Sequence, residues 1–151
     1  MRTIAASAAS FAVLAFGAAA ESVAESVVQS VAQIDYMLEC QGCHLPDGSG
    51  SSQGSVPSLL DSVGRFVTVP AGRSFLVRVP GSAQSALDDT RLAAVLNWMI
   101  RKFGPAQVAA TFEPYTAEEV AQHRSHPLTH VARVRSELLR QLEESAQTLP
   151  R

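Results

Sequence analysis

Cys40-Gln41-Gly42-Cys43-His44 is the stretch that decides how the rest of the chain is read. Two thiols three positions apart, followed at once by a histidine, form the signature of covalent c-type haem attachment. The spacing has a chemical reason. Two thiols add across the two vinyl groups of one porphyrin, so they must sit about one helical turn apart, and the next imidazole then faces the iron. Two other readings compete. A thioredoxin-like redox pair needs no histidine after it and belongs to a strand–helix setting. A structural zinc site needs four ligands, and the chain has no further cysteine to supply them. Cys40 and Cys43 are therefore expected to tether one covalent haem c, and His44 to ligate its iron.

The chain around the motif has 151 residues, enough for one compact domain with an appendage. A formal net charge of −2 favours neither nucleic acid nor an anionic membrane surface as a partner. Residues 1–20 read as a secretory signal. Arg2 gives a positive start, residues 4–16 are an apolar run, and Ala18-Ala19-Ala20 offers a small-residue cleavage site. An uncleaved anchor is the alternative, but the run is short and Glu21 follows directly. Export to the periplasm fits the motif, and with both cysteines committed to haem none is left for a disulfide.

Periodicity then predicts helices. Val23, Val27, Val31, Ile34 and Leu38 recur at spacings of three and four, with Glu, Ser and Gln opposite, so residues 21–39 form a helix ending at the motif. Residues 45–54 are a loop rich in Gly and Ser. Residues 61–64 suit a helical turn. The apolar runs 66–70 and 75–80, bounded by Pro and Gly, suggest strands when read alone. Leu92, Val95, Leu96, Met99 and Phe103 form the buried stripe of a second strong helix over 88–103, ended by Gly104-Pro105. Thr116-Ala117-Glu118-Glu119 is a capping box, Pro127 is a break, and Val131, Val134, Leu138, Leu139 and Leu142 mark a third amphipathic helix.

The haem motif, the loop with Gly48 and Gly50, and Pro57-Ser58-Leu59 together resemble the class I cytochrome c family over residues 34–103. The resemblance implies an all-α fold, a class I cytochrome c-like helical fold around one haem. In it the 75–80 run becomes an extended wall segment or a short helix through 73–78, and Trp98 marks the crossing of the first and closing helices. It also implies that the Pro57 carbonyl accepts from the second ring nitrogen of His44, fixing its orientation and raising its basicity. Residues 105–151 fall outside the pattern as a helical C-terminal extension. The chain thus divides into signal peptide 1–20, haem domain 21–104 and extension 105–151.

One departure from the family bears on chemistry. The loop in which such proteins carry an axial methionine is here residues 76–84, without Met, His or Lys, and Val79 stands at the ligand's place. Met99 could supply the ligand from the closing helix, or act as core filler. Met37 is on the motif's own helix. His123, His126 or His130 could fold over from the extension, or lie on the surface. With none bound the iron keeps an open position. A methionine opposite histidine suits electron transfer, whereas an open site admits small ligands. The expected function is that of an exported mono-haem electron carrier, not an enzyme, serving redox partner proteins such as a periplasmic dehydrogenase. The alternative is a haem protein that binds or senses a small ligand. Peroxidase chemistry would need distal acid–base groups, and only Arg73 and Arg78 lie near. His123, Arg124, His126, His130, Arg133, Arg135 and Arg140 make the extension locally basic, either as a solvated face packed on the core or as a docking surface for an acidic partner.

Overall fold

The computed structural model describes residues 11–52 and 56–148. The described chain is helical, with one isolated antiparallel bridge between Ser51 and Val56. In chain order the helices are α1 (Phe11–Glu39), α2 (Gln41–His44), α3 (Val63–Phe66), α4 (Pro70–Arg78), α5 (Pro80–Ala83), α6 (Asp89–Phe103), α7 (Ala106–Thr111), α8 (Ala117–Arg124) and α9 (Val131–Thr148). The all-α expectation therefore holds. The first ten residues of the expected signal peptide lie outside the described residues, and α1 runs without a break from Phe11 through its remainder. No helix among the described residues is long and apolar enough to cross a membrane.

The centre of the fold is the packing of α1 on α6. Asp88 caps α6 by accepting from the Arg91 amide at 2.8 Å, and Arg101 and Lys102 sit in the last turn, where the helix dipole favours cations. The buried stripe is the one periodicity predicts, joined by Ala93 and Ile100. On α1 the outcome differs. Ala32, Asp35 and Tyr36 face the core, while Val27, Val31, Ile34 and Leu38 are 57%, 43%, 54% and 74% exposed. The apolar stripe that identifies the helix is not the face it buries. Small Ala32 and the flat ring of Tyr36 allow close approach to α6, and the buried Asp35 carboxylate is neutralised by Arg91 across the crossing.

The 66–80 region is turn and helix, not strand: 67–69 turn between α3 and α4, and the 75–80 run lies in α4 and the start of α5. Pro70 and Pro80 each occupy the first turn of a helix, where a fixed φ is pre-organised and no amide is lost. Val79, extended at φ −58 and ψ 140, ends α4 and opens α5 in the same residue. The expected helical turn at 61–64 overlaps α3, whose first two residues are Val63 and Gly64.

The residues expected to form the C-terminal extension pack on the helices before them. α8 lies on α6 and α4, and α9 on α4 and α3, burying Val120, Leu138 and Leu142. Polar locks reinforce this. Arg73 forms a two-pronged pair with the Glu119 carboxylate at 2.8 and 2.6 Å and donates to the Glu113 carbonyl at 2.7 Å. Its guanidinium stacks 4.2 Å over Tyr115, whose hydroxyl donates back to the Arg73 carbonyl. Arg78 donates to the His126 carbonyl, and the Leu128 amide to the Arg78 carbonyl. Arg124 donates to the carbonyls of Ala83, Ser85 and Leu87 and to Asp89. Thr116 caps α8 as expected, but the second half of the capping box is diverted, because the Glu119 carboxylate goes to Arg73. Much of the extension's basic character is thus engaged inside the molecule: Arg124 as above, and Arg140 with Glu137 and Glu144.

Candidate functional site

The motif is a single helical turn added to the end of α1. The Cys40 amide still donates to the Tyr36 carbonyl at 2.9 Å, continuing the α1 ladder. Cys40 then departs to φ −122, and the amides of Cys43 and His44 both donate to its carbonyl. Leu45 adopts φ 61 and ends the turn. This local geometry puts the two thiols one turn apart, with the imidazole next in line. Cys40 packs partly buried against the core; Cys43 is exposed.

The Cys40 thiol is not favoured as a thiolate. Burial pushes the Cys40 thiol up to about 11, with Glu39, Asp35 and Cys43 adding to the shift. A thioredoxin-type nucleophile has its thiolate favoured instead. Among the described residues, no three His, Cys, Asp or Glu side chains are grouped to hold a metal ion.

His44 is half-buried, and its Nδ1 is buried without a hydrogen-bond partner. Burial lowers the ring's pKa, and the nearby Pro57 carbonyl partly opposes that shift by favouring a ring proton. The imidazole is consequently neutral at neutral pH, the form that ligates metals. Pro57 is delivered by a fold-back of the loop. The Gly50 amide donates to the His44 carbonyl, and Ser51 and Val56 exchange backbone bonds of 3.0 and 2.9 Å. Gly50 sits at φ 77, and a Cβ there would lie 2.5 Å from the Val56 carbonyl oxygen and 2.8 Å from that of Pro57. Gly48, at φ 76, lies against the Phe103 ring, where a Cβ would come within 2.9 Å.

Tyr36 is a site residue that periodicity does not single out. It is buried one turn before Cys40, and its hydroxyl donates to the Leu45 carbonyl at 2.6 Å. Its ring lies 5.1 Å from Trp98 and 5.5 Å from Phe103. The signal in the sequence was an aromatic four residues before the first cysteine, one helical turn away. Trp98 lies at the α1–α6 crossing, where the family resemblance puts it.

The distal candidates are dispersed. Met99 is buried in the apolar core on α6, and Met37 is exposed on α1. His123 is half-buried on α8, while His126 and His130 are exposed, with the Ser125 hydroxyl 2.8 Å from His126 Nδ1. Arg73 and Arg78 both reach to the extension. A groove of about 330 Å³ between α1 and α6, lined by Glu25, Gln29, Trp98 and Arg101, does not include the motif.

The donor set suits haem. It offers two thiols one turn apart, that of Cys40 held protonated by burial, and an imidazole whose buried nitrogen lacks a partner in the protein alone. No protein-family model and no solved structure matches the chain. Two curated proteins do, both named cytochrome c-552 and both from Thermus thermophilus. Each is 32% identical over 109 residues, which cover 60% of this chain and 82% and 73% of the two relatives.

Proposed function

The chain belongs to the c-type cytochromes, and on that premise we propose that it is an exported single-haem electron carrier. Cys40 and Cys43 would tether the haem and His44 would ligate its iron. Each thiol would hold the haem by adding its S–H across one vinyl group, which needs no oxidant. Bound haem supplies the one-electron chemistry; the residues around it position and insulate it. Pro57 orients the His44 ring and raises its basicity. Tyr36 ties the two ends of the motif to α6. The signal peptide is 1–20, removed on export to the periplasm, the haem domain is 21–104, and the extension 105–151 braces it. The electron donor, on the family resemblance, is a periplasmic dehydrogenase.

The observation that carries this reading is the geometry of one turn: both thiols and the imidazole hang from a helical turn whose amides converge on the Cys40 carbonyl. The test is pyridine haemochrome spectroscopy on protein exported from a host with a cytochrome-maturation system. The expected spectrum is that of haem with both vinyls saturated, and Cys43→Ala should shift it to the single-thioether form. Colourless protein would overturn the assignment.

A second reading is favoured by one feature of the chain. Residues 76–84 contain no side chain able to take the sixth position, and Arg124 binds three carbonyls of the adjoining residues 83–87. On that reading the iron keeps an open position for a small ligand. Carbon monoxide added to the reduced protein separates the two. Inertness supports a sixth protein ligand and plain electron transfer; rapid tight binding supports an open site. Arg73 and Arg78, occupied by the extension, are poorly placed as distal acid–base groups, which favours a carrier or binder over an enzyme.

A further inference from the structure

We propose, resting on the haem reading above, that the rim of the 40–44 turn is the docking face for a redox protein whose own face carries lysines or arginines around an apolar centre. Cys43 is exposed on the turn, so the porphyrin edge it would hold comes to the surface there. Large apolar side chains stand around that point. Leu38, in the last turn of α1, is 74% exposed, Leu45 is 39% and Leu60 is 46%. Backbone bonds tie the two loop leucines to the turn. The Leu45 amide donates to the Gln41 carbonyl, the Gly48 amide to the Leu45 carbonyl and the Leu59 amide to the Gly48 carbonyl.

Charge identifies the partner. Residues 3–64 hold six acids and no lysine or arginine. Asp35 is neutralised by Arg91, and Glu25 lies 3.9 Å from Arg101. Glu39, Asp47 and Asp61 are exposed, and no ion pair among the described residues takes any of them. Each follows one of the exposed leucines by one or two positions. Glu39 accepts from the Ala86 amide at 3.3 Å and Asp47 from the Ser49 amide at 3.0 Å, neutral donors that leave the charge in place. That charge reaches the turn: Glu39 acts on the Cys40 thiol and Asp47 on the Tyr36 hydroxyl, each favouring the protonated form. The patch ends near Asp61, where Arg65 is four residues on and Lys102 precedes the Phe103 whose carbonyl the Asp61 amide binds. Leucines ringed by unpaired carboxylates find their complement in an apolar patch ringed by cations, and such complementarity sets encounter rate and register. It reverses the sign expected from the basic extension, whose Arg124 and Arg140 are engaged within the chain.

The test is stopped-flow oxidation of the exported, haem-loaded, reduced full chain by tris(phenanthroline)cobalt(III), a trication, and by ferricyanide, a trianion. Raising the salt from about 10 mM to about 0.5 M shrinks the screening length several-fold. The cobalt rate should fall by about tenfold and the ferricyanide rate should rise. Glu39→Gln, Asp47→Asn and Asp61→Asn together keep the acceptor oxygens, remove the charge and should flatten both dependences. Glu143→Gln, on exposed α9, should leave them unchanged. A lysine–leucine peptide should slow the cobalt reaction, and a glutamate–leucine peptide of the same length should not. Colourless protein would overturn the haem reading and this proposal with it. Coloured protein whose cobalt rate is flat or rises with salt would overturn this proposal alone. So would slowing by the lysine–leucine peptide that persists undiminished in the triple variant.

Discussion

The Tyr36 hydroxyl donates to the Leu45 carbonyl at 2.6 Å, binding the last turns of α1 to the residue that follows His44. Tyr36→Phe removes the donor and leaves the Leu45 carbonyl with the Gly48 amide alone, at a cost of about 0.5 to 1.5 kcal/mol. Chemical denaturation should show this loss in the midpoint, with haem content unchanged because neither thiol moves.

The same hydroxyl gives a pH dependence. Burial, then Cys40 and Asp47, push it up to about 12 from an ordinary value of 10.0. The folded state favours the neutral phenol, so its contribution is complete below pH 10 and is lost as pH rises toward 12. Stability should fall through that window, and Tyr36→Phe should flatten the fall. Tyr115, also pushed up by burial, keeps part of it. An unchanged alkaline limb in the variant would show that Tyr36 contributes nothing there.

Gly50→Ala tests the delivery of Pro57. A side chain at φ 77 is strained, and its Cβ would press on the Val56 and Pro57 carbonyls. The expected cost is about 1 to 3 kcal/mol. With Pro57 displaced, His44 becomes a less basic ligand, and the reduction potential of the loaded protein should rise. Potentiometry beside a melting curve separates the two effects.

Arg124 is 18% exposed and donates to four residues between Ala83 and Asp89. Arg124→Ala strands those carbonyls and should cost on the order of 2 to 4 kcal/mol. Hydrogen exchange should quicken at residues 83–89 before it does on α1. Arg124→Lys should recover only part of the loss, since an ammonium cannot span the fork.

Met99 lies in the core beside Leu96 and Phe103 on the buried side of α6. As filler, its replacement by Leu should cost less than about 1.5 kcal/mol and leave the visible spectrum unaltered. A spectrum that changes, with carbon monoxide newly able to bind, would make Met99 the sixth ligand.

The motif turn, α6 and α9 were legible because each rests on local spacing. What escaped depended on distant partners. The 3–4 pattern of α1 announces a helix but not which side is covered; Asp35 finds its counter-ion 56 residues away, and nothing local marks that acid as buried. The run 75–80 looks like a strand because β-branched residues alternate near prolines, yet Pro70 and Pro80 start helices. The basic tail read as a surface because Arg124's acceptors are mostly backbone carbonyls, which no side-chain pattern displays. Pro57 was expected to accept from His44 only through the family resemblance; its carbonyl lies near that ring, but His44 Nδ1 makes no hydrogen bond.

The arginine locks have a consequence in time. Arg73 reaches 46 positions ahead, Arg78 reaches 48, and Arg124 reaches back 41 to Ala83. In a chain that emerges amino end first, such bridges close last, whereas the turn at 40–44 needs only its immediate neighbours. On the proposed function, the cysteines would be presented while the tail is still loose, and the clasp would close after them. A chain halted after Gly104 would still offer both thiols and the imidazole, with the holding part missing.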